Sequence, residues 1–155
     1  MNPRPRSLVA AILGLMVLAV AANARAAETL AGPVPARVVH VIDGDTLVVR
    51  ARIWLGQEVE TAVRLAGVDA PELRGACASE RERAQLAREY LSSRALGGAV
   101  ILTGVRYEKY GGRVLAQVRL DDGRDLAQLL LAEGHARAYD GRARARWCEE
   151  AKSDD

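Results

Sequence analysis

The chain has no phenylalanine, few aromatics of any kind (4%), two cysteines and two histidines in 155 positions. Without Phe, a core has to be packed from Leu, Val and Ala. His40 and His135 stand alone, without the ligand spacing a zinc site needs, and are read as structural. No internal repeat runs through the chain, which excludes a solenoid. The longest apolar run, Leu8 to Ala22, falls short of the ~20 residues that span a bilayer. No cysteine follows that run closely, which argues against a lipid-anchored N-terminus.

That apolar run is instead framed as an export signal. Arg4 and Arg6 precede it, and the small-residue triplets Ala22-Asn23-Ala24 and Ala24-Arg25-Ala26 follow. A basic start, an apolar middle and a small-residue cleavage region predict a signal peptide over 1–26 and a single exported domain, periplasmic or secreted, over 27–155. Loss of the leader removes three of the 22 Lys+Arg and none of the 20 acids, leaving 19 against 20. The overall +2 therefore belongs to the leader, and a polyanion would have to be held by locally placed arginines and bound metal. In an oxidising compartment the even count favours a Cys77–Cys148 disulfide over two free thiols. Such a bond would pin the C-terminal tail beside the segment that carries the chemistry.

That segment is Val63 to Glu72, VRLAGVDAPE. It places a cation, Arg64, and two carboxylates, Asp69 and Glu72, at the exit of an apolar run. In a straight strand Arg64 and Asp69 would lie roughly 16 Å apart on opposite faces, so one shared site requires a bend. Gly67 permits the bend, and Pro71 keeps Ala70 extended, fixing the direction of its carbonyl. Upstream, Asp43-Gly44-Asp45-Thr46 reads as a tight turn between β-branched runs. If the strands ending at Asp43 and Ala66 are neighbours, Asp45 and Asp69 converge. An all-oxygen set of this kind suits Ca²⁺ better than zinc.

The remaining pattern is α+β. Strands are expected at Arg37–Ile42, Thr46–Trp54 and Glu58–Ala66, an antiparallel meander, after a loosely ordered lead-in from Glu28 to Pro35. Ser79-Glu80-Arg81-Glu82 reads as a capping box opening a helix to about Leu96, with Ala84, Ala87, Leu91 and Ala95 inward and its charges solvated. Ala99–Val105 and Arg113–Leu120 complete five strands around the charged loop Arg106–Gly112. Asp125 caps a second helix through Glu133 that is apolar nearly all round and therefore largely buried. Trp147 is placed beside the disulfide, and Arg142, Arg144 and Arg146 either brush a phosphate backbone or form a solvated tail. Three strands, a helix, two strands and C-terminal helices predict a five-stranded OB-type β-barrel.

Three fragments together, Asp43-Gly44-Asp45-Thr46, Val63-Arg64-Leu65 through Asp69-Ala70-Pro71-Glu72, and Lys109-Tyr110-Gly111-Gly112-Arg113-Val114-Leu115-Ala116, resemble the successive motifs of the thermonuclease (staphylococcal nuclease-like) family. The resemblance runs from about Ala36 to Tyr139. It departs at Ala70, where the common motif has Thr, and at the added glycine before Arg113. It implies a Ca²⁺-dependent hydrolase that cuts DNA and RNA to 3′-phosphate ends, acting as a monomer and free of the membrane once the leader is cleaved. Asp45, Asp69 and the Ala70 carbonyl would bind the metal, and Glu72 would orient or deprotonate the attacking water. Arg64 and Arg113 would clamp the phosphate, with Tyr110 and Tyr139 near the nucleotide.

Elementary chemistry fits that division of labour. A pentacoordinate phosphorus carries extra negative charge, and a guanidinium fork meets two of its oxygens at once. The rival expectation is a non-catalytic OB-type module that merely holds nucleic acid. Such modules rely on aromatic stacking platforms and a basic groove, and this chain is poor in both.

Overall fold

The computed structural model describes residues 28–108 and 112–148; the expected signal peptide and Tyr110 lie outside the described residues. The elements are β1 (Thr29–Leu30), β2 (Val34–Val41), β3 (Thr46–Trp54), β4 (Gln57–Leu65), β5 (Val68–Asp69), α1 (Ala78–Ala95), β6 (Ala99–Tyr107), β7 (Arg113–Leu120), α2 (Leu126–Ala132) and β8 (Arg137–Ala138). Strands β2, β3 and β4 form the expected antiparallel meander, and β4 continues in parallel to β7. β7 pairs with β6, and β6 returns to β2, so the sheet closes into a five-stranded barrel with no free edge between its first and last strands. This is the OB-type barrel that the order of elements predicts.

Alternation in β2 and β3 turns Val34, Val38, Val41, Leu47, Val49 and Ala51 inward. The interior is completed by Val63, Leu65, Leu91, Leu102, Leu126 and Leu130. A core of this make-up follows from the lack of Phe, since aliphatic side chains must fill the interior at high density.

Helix α1 buries Ala84, Ala87, Leu91 and Ala95, one stripe at helical spacing. Its small residues let the helix come close to the barrel mouth. A Cβ on Gly44 would lie 2.7 Å from that of Ala87 and 2.8 Å from that of Ala70, so glycine is required there for the Asp43–Asp45 turn to sit under the helix. The helix stops at Gly97, at φ +74°, whose N–H donates to the Val38 carbonyl at 3.0 Å. Asp125 caps α2 by accepting the Gln128 N–H at 3.1 Å, as its sequence predicts. Of that helix Leu126, Ala127 and Leu130 are buried, while Leu129 and Leu131 are half-buried.

Four local expectations are corrected. The lead-in is ordered: β1 and the start of β2 add to β6, which runs on to Tyr107 and so offers Thr29 and Leu30 a ladder with Arg106 and Val105. Consequently the loop after β6 begins later than Arg106. Helix α1 begins at Ala78 with Cys77 as N-cap and no side-chain cap, so Ser79 and Glu82 form no capping box. Glu80, expected on the solvated face, is buried. Its carboxylate turns back to accept the N–H groups of Glu72 at 3.4 Å and Ala76 at 3.0 Å.

A candidate active site at the barrel mouth

Register brings the first two acids and the cation together. Thr46 of β3 lies opposite Arg64 of β4, so Asp45, one residue before the strand, is carried to the end of β4. The Leu65 N–H donates to the Asp45 carbonyl at 2.8 Å and holds it there. Asp43 serves as the turn former, its Oδ1 accepting the Asp45 N–H at 3.2 Å. Beyond Leu65 the chain bends at Gly67, whose φ of +84° suits glycine, and β5 brings Asp69 back towards β4. Arg64 Nη2 therefore lies 3.1 Å from Asp69 Oδ1 and 2.8 Å from Asp45 Oδ2.

All three side chains are almost fully buried. Asp45 also accepts from the Ala70 N–H at 3.1 Å and the Thr46 hydroxyl at 2.9 Å. Burial pushes the Asp45 carboxyl up to about 7, against the opposing charge of Arg64 and with repulsion from Asp43 adding to the rise. Glu108 connects the second arginine: it pairs with Arg113 and approaches Arg64 Nε at 3.8 Å. Arg113 enters the site through β7, whose parallel ladder sets it opposite Ala62, two residues before Arg64.

Glu72 projects from the far side of the β5 turn with its side chain 48% exposed. It does not reach Arg64; its carboxylate is met by Arg144, which also places Nε 3.0 Å from Asp69 Oδ1. Arg144 is thus at the site and not in a solvated tail. Trp147 Nε1 donates to Asp69 Oδ2 at 3.3 Å, and Cys148 is bonded to Cys77, as the cysteine count favours. Glu80 lies beside this disulfide, but the two sulfurs are bonded to each other and offer no thiolate to a metal. Tyr139 and Arg64 line one cavity of about 400 Å³, together with Glu108 and Arg142. The Tyr139 hydroxyl donates to the Arg142 carbonyl at 2.7 Å.

The donor set fits a hard divalent cation. Asp45, Asp69 and the Ala70 carbonyl offer oxygen alone, and the Ala70 backbone is fixed by its N–H bond to Asp45. Around them Asp43, Asp45, Asp69, Glu72 and Glu108 lie close to Arg64, Arg113 and Arg144.

Sequence reasoning did not find Glu108, Glu80 or Trp147 as members of the site. Glu108 stood in a charged loop and Glu80 in a run of helix charges, so neither carried a distinguishing pattern. Contacts spanning 72 residues, as between Glu72 and Arg144, leave no local trace.

Comparison with known families bears on this geometry. The family model described as "Staphylococcal nuclease homologue" matches residues 62–153, more than half of the chain. The chain belongs to this family. Similar relatives include two proteins from Escherichia coli and Escherichia coli O157:H7, each named "Uncharacterized endonuclease". Each is 29% identical over 111 residues, covering 72% of this chain and 65% of the relative. The match thus spans less than two thirds of those relatives. The family match begins at β4 and includes Arg64, Asp69, Glu72 and Arg113, while the Asp43–Asp45 turn lies before it.

Proposed function

We propose that this protein is an exported, Ca²⁺-dependent nuclease that hydrolyses phosphodiester bonds of DNA and RNA to leave 3′-phosphate ends. The observation that carries the reading is a buried guanidinium, Arg64, held between Asp45 and Asp69 at the wall of a cavity large enough for a nucleotide. A buried arginine needs anionic partners; this one has Asp45 and Asp69, and the cavity beside it would admit a phosphate.

Asp45, Asp69 and the Ala70 carbonyl would hold Ca²⁺, which when bound supplies Lewis-acid polarisation of the phosphate oxygens. Arg64 and Arg113 grip the remaining oxygens, and their forks favour the more highly charged pentacoordinate state over the ground state. Glu108, paired with Arg113 and close to Arg64, offsets their mutual repulsion and holds them near each other before substrate arrives. Glu72 accepts a proton from the attacking water. As the water oxygen bonds to phosphorus the P–O5′ bond breaks, the 5′-oxygen leaves and takes a proton from solvent, and the phosphate stays on the 3′ side. Tyr139 borders the same cavity and would contact the nucleotide.

The test is incubation of the protein, without its leader, with denatured DNA and with RNA, in Ca²⁺ or in chelator. Cleavage that requires Ca²⁺ and yields ends sensitive to a 3′-phosphatase is expected. Tight retention of intact strands, with or without Ca²⁺, would support a binding module instead.

A further inference from the structure

The proposed general base is poorly anchored by its own surroundings. Glu72 follows a proline on a loop, its side chain is half exposed, and a glutamate carboxylate swings on three rotatable bonds. Its backbone N–H is tied to Glu80, but that bond does not orient the carboxylate. What meets the carboxylate is Arg144, and the same guanidinium also pairs with Asp69. One rigid fork therefore sets the two acids relative to each other.

Arg144 belongs to a segment outside any helix or strand, yet the segment is fastened at both ends. At its start the Tyr139 hydroxyl holds the Arg142 carbonyl. At its end Arg137 donates to the Arg146 carbonyl at 2.9 Å and lies over the Trp147 ring at 3.9 Å. The Cys148–Cys77 bond then joins the segment to the residue that precedes α1, five positions after Glu72. Chain length alone would leave Arg144 and Glu72 free to separate; the covalent tie closes the loop that keeps them adjacent.

We propose that residues 142–148 form a disulfide-anchored strap in which Arg144 is a positioning residue, holding the Glu72 carboxylate for the hydrolysis proposed above. The inference rests on that reading. Its physical basis is orientation: a misplaced base about 1 Å from its productive position can lose on the order of a hundredfold in rate.

Steady-state cleavage of denatured DNA in Ca²⁺ tests it. Arg144→Ala is expected to lower kcat by about tenfold to a hundredfold with KM changed less than about twofold. Arg144→Lys keeps the charge on a shorter side chain without the fork and is expected to recover only part of the loss. In a Glu72→Gln background, where the residual rate no longer depends on a base, Arg144→Ala is expected to cost much less than in the wild type, the remainder coming from its pairing with Asp69. Cys77→Ser with Cys148→Ser should reproduce the kcat loss although Arg144 is intact; if that variant does not fold, mild reduction of the folded wild type reads the same quantity. Three results overturn the proposal: an unchanged or raised kcat in Arg144→Ala, as for a strap that merely blocks the site; a loss confined to KM, as for a phosphate contact; or an equal loss in the Glu72→Gln background. A wild type that shows no Ca²⁺-dependent cleavage overturns the nuclease reading itself, and is distinct from an active wild type indifferent to Arg144.

Discussion

Arg64 and Asp45 form a buried ion pair across the β3–β4 ladder, with Nη1 donating to Oδ1 at 3.0 Å and Nη2 lying 2.8 Å from Oδ2. Replacing Arg64 by Ala leaves two buried carboxylates facing each other with less compensation. Breaking such a pair from one side costs about 3–5 kcal/mol. Thermal unfolding of Arg64→Ala in chelator should show a loss of that order, and Ca²⁺ should restore more stability to the variant than it adds to the wild type. Equal stabilisation of both proteins by Ca²⁺ would place the cation elsewhere.

Proton and cation compete for Asp45. Its folded value, near 7, stands above the ordinary 3.8 because it is buried, while Arg64, the Ala70 N–H and the Thr46 hydroxyl pull the other way and Asp43 adds to the rise. A raised folded value means that this carboxyl's contribution to the stability of the metal-free protein is complete below about 3.8 and is lost as pH rises through about 7. Ca²⁺ requires the carboxylate, so its affinity should run in the opposite sense and weaken as pH falls below 7. Calorimetric titration in buffers of different ionisation enthalpy should find about one proton released per Ca²⁺ at pH 6 and almost none at pH 8. Release that does not change with pH would contradict the role of Asp45.

Packing at the back of the turn gives a third expectation. A methyl group at position 44 would meet the Cβ atoms of Ala87 and Ala70 at less than 3 Å. Gly44→Ala should destabilise the fold by about 1–3 kcal/mol, as overpacking does. Because Ala70 supplies both the carbonyl and the N–H bound to Asp45, the same change should weaken Ca²⁺ binding. Denaturant unfolding together with Ca²⁺ titration of this variant checks both effects, and intact Ca²⁺ affinity in a destabilised protein would separate the turn from the metal site.

The parts of this site that the sequence disclosed are those with a local cause. Gly67 between Arg64 and Asp69 demands a bend, and the bend exists; the strands ending near Asp43 and Ala66, expected as neighbours, are separated by β3, and it is the β3–β4 register that delivers Asp45 to Arg64. The five-stranded barrel was legible for the same reason, from alternation and turn residues. Glu80 was misread because a charged residue in a helical run looks solvated unless its partners, here backbone N–H groups of a preceding loop, are known. The sequence leaves Arg144 open between a phosphate contact and a solvated tail, because its place depends on a disulfide and on a strand pairing, Asp69 with Arg137, that no short window contains.

The most direct measurement is the rate of Ca²⁺-dependent cleavage of denatured DNA by Glu72→Gln beside the wild type, with both confirmed as folded by circular dichroism. Removal of a general base should lower kcat by about a hundredfold to ten-thousandfold while Ca²⁺ still binds. A Glu72→Gln protein that cuts at the wild-type rate would contradict the account.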